Sequence, residues 1–127
     1  TRGLQFRQRV EADWLKKLDA HAPQMVLVSA GFDGHARDPL GGFELHEADY
    51  RWVTELIADV AARHAGGRIV SVLEGGYDLD ALTFSSATVL REMAGETGAP
   101  IEPATSGGPG GGAVRHARDY WEREELW

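Results

Sequence analysis

Apolar side chains recur along this chain in two rhythms. Phe6, Val10, Trp14 and Leu18 fall four residues apart, with Leu15 beside them and Arg, Lys, Glu and Asp between, which is the single stripe of an amphipathic helix over about residues 4–21. Pro23 stops it. "QMVLVSA" (24–30) is then a nearly continuous apolar run, suited to a strand buried on both faces. Tyr50, Val53, Leu56, Ile57, Val60, Ala61 and His64 trace a second helical stripe over about 46–65, ended by Gly66-Gly67. "RIVSVLE" (68–74) repeats the buried-strand pattern, Gly75-Gly76 turn the chain, and Leu79, Leu82, Val89, Leu90 and Met93 return to helical spacing behind Asp78, a candidate N-cap.

The order is therefore α-β-α-β-α. Two buried strands joined by a helix of this length predict a parallel pair with a right-handed crossover, hence an α/β fold. Two central strands make no stable open sheet alone, so further strands are expected upstream of Thr1. Beyond about residue 95, "ETGAPIEPATSGGPGGGA" (96–113) reads as a Gly/Pro-rich linker, and "VRHARDYWEREELW" (114–127) as a terminal helix that docks on the fold or on another chain.

Composition narrows the chemistry. Of 127 residues, 43% are hydrophobic and 26% charged, as in an ordinary globular domain. The formal charge of −7 disfavours a nucleic-acid partner, whose binding rests on basic side chains. With no run of about 18 apolar residues and no signal-peptide core at the start, the expectation is a cytoplasmic protein without a membrane partner. The chain contains no cysteine, so a metal would need histidine and carboxylate ligands.

In an open parallel sheet ligands bind beyond the carboxyl ends of the strands, and two chemically rich loops leave there, "SAGFDGHARDPLGG" (29–42) and "EGGYDLD" (74–80). Asp33 either closes its own turn, the commoner use of a loop aspartate, or presents a carboxylate to a metal. His35 lies two residues on, a spacing at which both could reach one ion, but a solvated rim position is the plainer reading. Asp38-Pro39 reads as a turn. Tyr77 either packs on the sheet end or offers its phenol to a developing oxyanion. Gly75-Gly76 let backbone approach a ligand closely, though without the spacing of a phosphate-binding loop. No His-His pair and no H-E-x-x-H occurs to supply a general base.

"LVSAGFDGHARDPLGG", followed some forty residues later by "GGRIVSVLEGGYDLDAL", closely resembles the C-terminal part of the zinc-dependent histone deacetylase family, which includes acetoin-utilisation proteins and acetylpolyamine amidohydrolases. The resemblance implies that residues 1–95 are the incomplete C-terminal part of an arginase/deacetylase-type α/β domain, with a parallel central sheet and helices on both faces. By the same resemblance Asp33 matches a zinc ligand, and Tyr77 the tyrosine that hydrogen-bonds the scissile amide oxygen. Leu40 matches a wall of the acyl-lysine tunnel, Gly75 and Gly76 the glycines beside it, and His35 no ligand. The implied cofactor is one zinc ion, its remaining ligands and the histidine base expected upstream of Thr1, so the isolated stretch is expected to be inactive and metal-free. The implied substrate is an acetylated lysine or other small acylated amine; apolar Leu40 stands where an acidic polyamine gatekeeper would be.

Two other readings bracket this one. An arginase-type ureohydrolase carries Asp-x-Asp-x-x-Asp-Pro, which here becomes Asp33-x-His35-x-x-Asp38-Pro39, with a metal-bridging carboxylate replaced. A noncatalytic fragment could instead assemble as a homo-oligomer through an exposed sheet edge or the tryptophan-bearing tail.

Overall fold

A computed structural model describes residues 3–96. The linker expected at 96–113 lies outside the described residues but for Glu96, and the terminal helix expected at 114–127 wholly so. The elements are α1 (Gly3–Arg9), a π-helical segment (Val10–Trp14), α2 (Leu15–His21), β1 (Val26–Ala30), α3 (Glu47–His64), β2 (Ile69–Leu73) and α4 (Leu79–Met93). Among the described residues no helix is long and apolar enough to cross a membrane.

The first helix differs from expectation in its middle, where a π-helical turn interrupts it. Apolar residues spaced strictly by four drift about 40° per repeat around a 3.6-residue helix. The wider π turn opposes that drift, and it places Val10 in full burial. After α2 the chain reverses at Ala22, which takes a left-handed conformation with φ 48°. Helix α3 ends in a glycine cap, Gly66 and Gly67 both at positive φ and the Gly67 N–H donating to Ala61 O at 2.9 Å. Asp78 caps α4 as expected, accepting from Ala81 N–H at 2.8 Å.

β1 and β2 pair in parallel, in a register running from Val26 opposite Ile69 to Ala30 opposite Leu73. Past the strand ends Glu74 N–H donates in register to Ala30 O at 3.0 Å, and Phe32 N–H then donates to Gly75 O at 2.7 Å, one residue out of that register. Helix α3 lays Ala61, Ala65 and Ile57 on Val26, Val28 and Ile69. A second cluster, Phe32, Leu45, Tyr50 and Val89 with Phe6, Leu82 and Met93 against it, binds the loop after β1 to α1, α3 and α4. Two-faced burial of the strands is not what these residues show. Among the described residues the helices cover one face of the pair, and on the other Leu27, Val70 and Val72 are exposed, Leu27 at 70%. A two-stranded ribbon has no third strand or second helical layer to cover that face.

Candidate functional site

The site forms where the loop after β1 meets the loop after β2. One backbone hydrogen bond beyond the regular pairing, Phe32 N–H to Gly75 O at 2.7 Å, holds the starts of the two loops together. Asp33 lies in the first of these loops, half-buried, at one end of an apolar cavity of about 310 Å³ that runs beneath the loop between the sheet and α1, α3 and α4. Its carboxylate is folded onto two glycines. A Cβ on Gly75 would lie 2.6 Å from Asp33 Oδ1, and one on Gly31 would lie 2.7 Å from the same atom. Gly41 closes the other side so tightly that a Cβ there would overlap the Asp33 carbonyl. These glycines are there for close approach, not for turning.

No donor among the described residues hydrogen-bonds the Asp33 carboxylate. A half-buried carboxylate is ordinarily held by donors or by a cation, since its desolvation is otherwise uncompensated. Donorless oxygens in a glycine cradle are what a metal ligand would show before its ion arrives, and carboxylate oxygen is a ligand zinc accepts. Asp33 thus fits the ligand role rather than that of a turn residue. One carboxylate is a third of what a catalytic zinc site normally takes from protein.

His35 is buried at 3% exposure, a correction to the solvated rim position that its loop context suggested. Its Nδ1 accepts the Arg37 N–H at 3.1 Å, its ring stacks at 8° to that of Tyr50, and its buried Nε2 stands 3.3 Å from Glu47 Oε1 without making a hydrogen bond. His35, His46 and Glu47 bring ligand atoms within 4.8 Å of one another, away from Asp33. This cluster is poorly made for a metal. A backbone N–H aimed at Nδ1 forces the neutral ring to carry its proton on Nε2, the atom that would have to ligate, and metal-bound histidines show the reverse polarity. The imidazole instead spans from its own loop to the start of α3. Sequence spacing missed this because the carboxylate it meets lies twelve residues on.

Tyr50, absent from the candidates, donates its hydroxyl to Phe32 O at 3.2 Å, one peptide from Asp33. Burial first, and then the carboxylates Asp33, Asp38, Asp49 and Glu47, push its phenol well above the ordinary tyrosine value, so it stays a neutral donor. Its helical period marked it as core, which is true and incomplete.

Tyr77 and Leu40 stand at the loop tips with exposed side chains, outside the cavity that Asp33 borders. Gly76 has φ 140°, and a Cβ on it would meet Leu82 and Phe32 at 3.0 and 3.2 Å, so it closes the turn against the core. Gly75 touches Asp33. The structure therefore brings Asp33 and Gly75 together, ties the Tyr77 backbone to Asp38, and leaves the Tyr77 phenol and the Leu40 side chain exposed.

Asp38 joins the tips. Its Oδ1 accepts from Leu40 N–H at 2.8 Å and Gly41 N–H at 3.2 Å, while Oδ2 accepts from Tyr77 N–H at 2.7 Å across 39 residues of sequence. Arg37 adds ion pairs to Asp80 at 3.1 Å and Asp78 at 3.6 Å.

Residues 1–93 match the family model of the histone deacetylase domain. A histone deacetylase-like amidohydrolase of Pseudomonas aeruginosa is 38% identical over 98 residues, 77% of this chain and 26% of that protein. Type-2 histone deacetylase 2 of Dictyostelium discoideum is 48% identical over 71 residues, 53% of this chain and 4% of that protein. The crystal structure of the HDA15 HD domain superposes with a TM-score of 0.70 at 30% identity, covering 79% of this chain and 28% of that one. The structure of the histone deacetylase Clr3 superposes with a TM-score of 0.70 at 27% identity, covering 91% and 19%. The chain spans about a quarter or less of the length of these relatives.

Proposed function

The chain belongs to the histone deacetylase domain family, and from that premise we propose that it is part of a zinc-dependent deacetylase that hydrolyses the amide of an acetylated lysine or another small acylated amine. One observation carries the reading: Asp33, donorless in a glycine cradle, sits against Gly75, two residues before Tyr77. In this reading Asp33 supplies one carboxylate to a zinc ion whose other ligands lie beyond this stretch. Zinc there supplies Lewis-acid polarisation of the acyl carbonyl. Tyr77 donates its phenolic proton in a hydrogen bond to the carbonyl oxygen as that oxygen gains charge, which is worth most in a site that excludes water. Leu40 lines the approach with an apolar wall and no carboxylate to select a polycation, Gly75 leaves room for the Asp33 carboxylate, and Gly76 lets the loop turn tightly against Leu82 and Phe32 beside it.

The ureohydrolase alternative gains nothing from the structure, because its second acidic position is His35, which offers no carboxylate and whose Nδ1 is taken by the Arg37 N–H.

The test is deacetylation of an acetyl-lysine peptide by the full-length polypeptide that carries these residues, with acetylpolyamine and guanidino substrates as comparators. Asp33→Asn should lose both zinc and activity. Tyr77→Phe should keep zinc and lose about 100- to 1,000-fold in kcat, the scale for one oxyanion donor. Full activity in Tyr77→Phe, or turnover of a guanidino substrate alone, would overturn the reading.

A further inference from the structure

Asp33 and Tyr77 must hold a fixed relation if they serve one carbonyl, yet they lie on different loops. Behind them the strands' hydrogen-bond ladder ends at Phe32 and Gly75. Beyond it the Tyr77 backbone has one side-chain acceptor, Asp38 Oδ2. The other oxygen of the same carboxylate holds the N–H groups of Leu40 and Gly41, and Gly41 packs on the Asp33 carbonyl.

We infer that Asp38 is a positioning residue for this site, its two carboxylate oxygens fixing the tyrosine loop and the Leu40–Gly41 turn in one register. The inference rests on the reading of Tyr77 as the oxyanion donor and goes beyond it by naming what places that donor. A turn-forming aspartate needs one oxygen, and an aspartate that closes its own turn has no reason to reach Tyr77. A neutral side chain cannot replace it: the amide of an asparagine offers one accepting oxygen, and its nitrogen would face an N–H with another N–H. Arg37, adjacent in sequence and paired with Asp80, reinforces the same crossing from the outer side. Asp38 touches no reacting atom. Its effect passes through the Tyr77 backbone to the phenol.

Asp38→Asn and Asp38→Ser separate the two roles, since each leaves one oxygen for the Leu40 turn and neither supplies an anion to Tyr77. In the full-length enzyme each should lower kcat about tenfold to a hundredfold, the cost of a misplacement near 1 Å, with KM within about threefold of wild type. The Tyr77 amide proton should move upfield in the NMR spectrum and exchange faster, while the Leu40 amide holds its shift. Tyr77→Phe is the parallel control: inserting Asp38→Asn into that background should add little, because the donor being positioned is gone. If Tyr77→Phe is fully active, the proposed function fails. If Tyr77→Phe is impaired while both Asp38 variants keep wild-type kcat, or if their Tyr77 amides are unmoved, the positioning role fails and the function stands. Should one Asp38 variant not fold, the other carries the test; a double variant whose losses multiply in full would also refute the inference.

Discussion

Gly75→Ala should disable the metal position without unfolding the protein. Gly75 has no positive φ, so alanine meets no backbone penalty there, unlike Gly76 at φ 140°. The added Cβ would lie 2.6 Å from Asp33 Oδ1, 2.7 Å from Cγ and 3.0 Å from Oδ2, where ordinary contact begins at 3.4 Å. The carboxylate must therefore retreat by about 0.8 Å, well outside the roughly 0.2 Å tolerance of ligand distances and the 0.5 Å tolerance of a working site. The expected result is a zinc affinity lower by about 10- to 100-fold, the scale seen when groups supporting a ligand are altered, with overpacking costing about 1–3 kcal/mol at most. Competition against a chromophoric chelator in the full-length protein measures the first, and chemical denaturation the second. Wild-type zinc affinity in Gly75→Ala would refute the assignment of Asp33 as a ligand pressed onto Gly75.

The remaining expectations probe the supports. Tyr50→Phe removes the hydroxyl from a buried Phe32 carbonyl, and should cost about 1 kcal/mol in denaturant unfolding; no change would mean that the 3.2 Å contact contributes nothing. Asp78→Ala removes the cap of α4 and should cost about 0.5–2 kcal/mol, with faster amide exchange in the first turn of that helix as the local readout. At Asp38, burial alone would raise the carboxyl, but the N–H groups of Tyr77, Leu40, Gly41 and Asp78 outweigh it and hold the group below its ordinary value of 3.8. A depressed folded value means that the link is fully present above about pH 4 and is lost as pH falls through that lower value, so the Tyr77 amide shift should titrate with a midpoint under 3.8; a midpoint at or above it contradicts the geometry. His46→Ala, which removes one member of the convergent histidine–glutamate cluster, should leave zinc affinity unchanged.

Legibility followed the range over which each interaction acts. Helix α3, helix α4 with its Asp78 cap, and the parallel strand pair follow from periodicity and capping, which are local and written in consecutive residues. The π-helical turn was hidden because a four-residue stripe looks helical whether or not a wider turn corrects its drift. The bare strand face was hidden because an apolar run states a preference for burial, and its fulfilment depends on what else packs there. At the site, Asp33 and Tyr77 could be singled out from the loops as candidates, while the relations around them could not. The burial of His35 depends on Tyr50 and Glu47 in α3, and the second role of Asp38 depends on an amide 39 residues away. An aspartate before proline has a sufficient local explanation, and that explanation concealed the distant one.

The strand register sets the height of the site. The regular register runs from Val26 N–H on Arg68 O to Glu74 N–H on Ala30 O, and past it Phe32 N–H reaches Gly75 O, one residue beyond the Glu74 O that unbroken register would give, so the chain leaving β2 gains a residue just before the site. A slip of one residue would move Tyr77 by about 3.3 Å relative to Asp33 and turn the facing side chains over. In one direction it would bring Glu74, with its Cβ, toward the carboxylate that now rests on Gly75, and in the other it would bring Gly76. The absence of a side chain on Gly75 therefore gives the Asp33 carboxylate its clearance at this step in register. Asp38 then secures at the loop tips the alignment that the strands establish at their base. The chemistry of the two loops thus depends on pairing in two strands that carry none of it, which is why a parallel sheet and a site split between its exit loops belong to the same design.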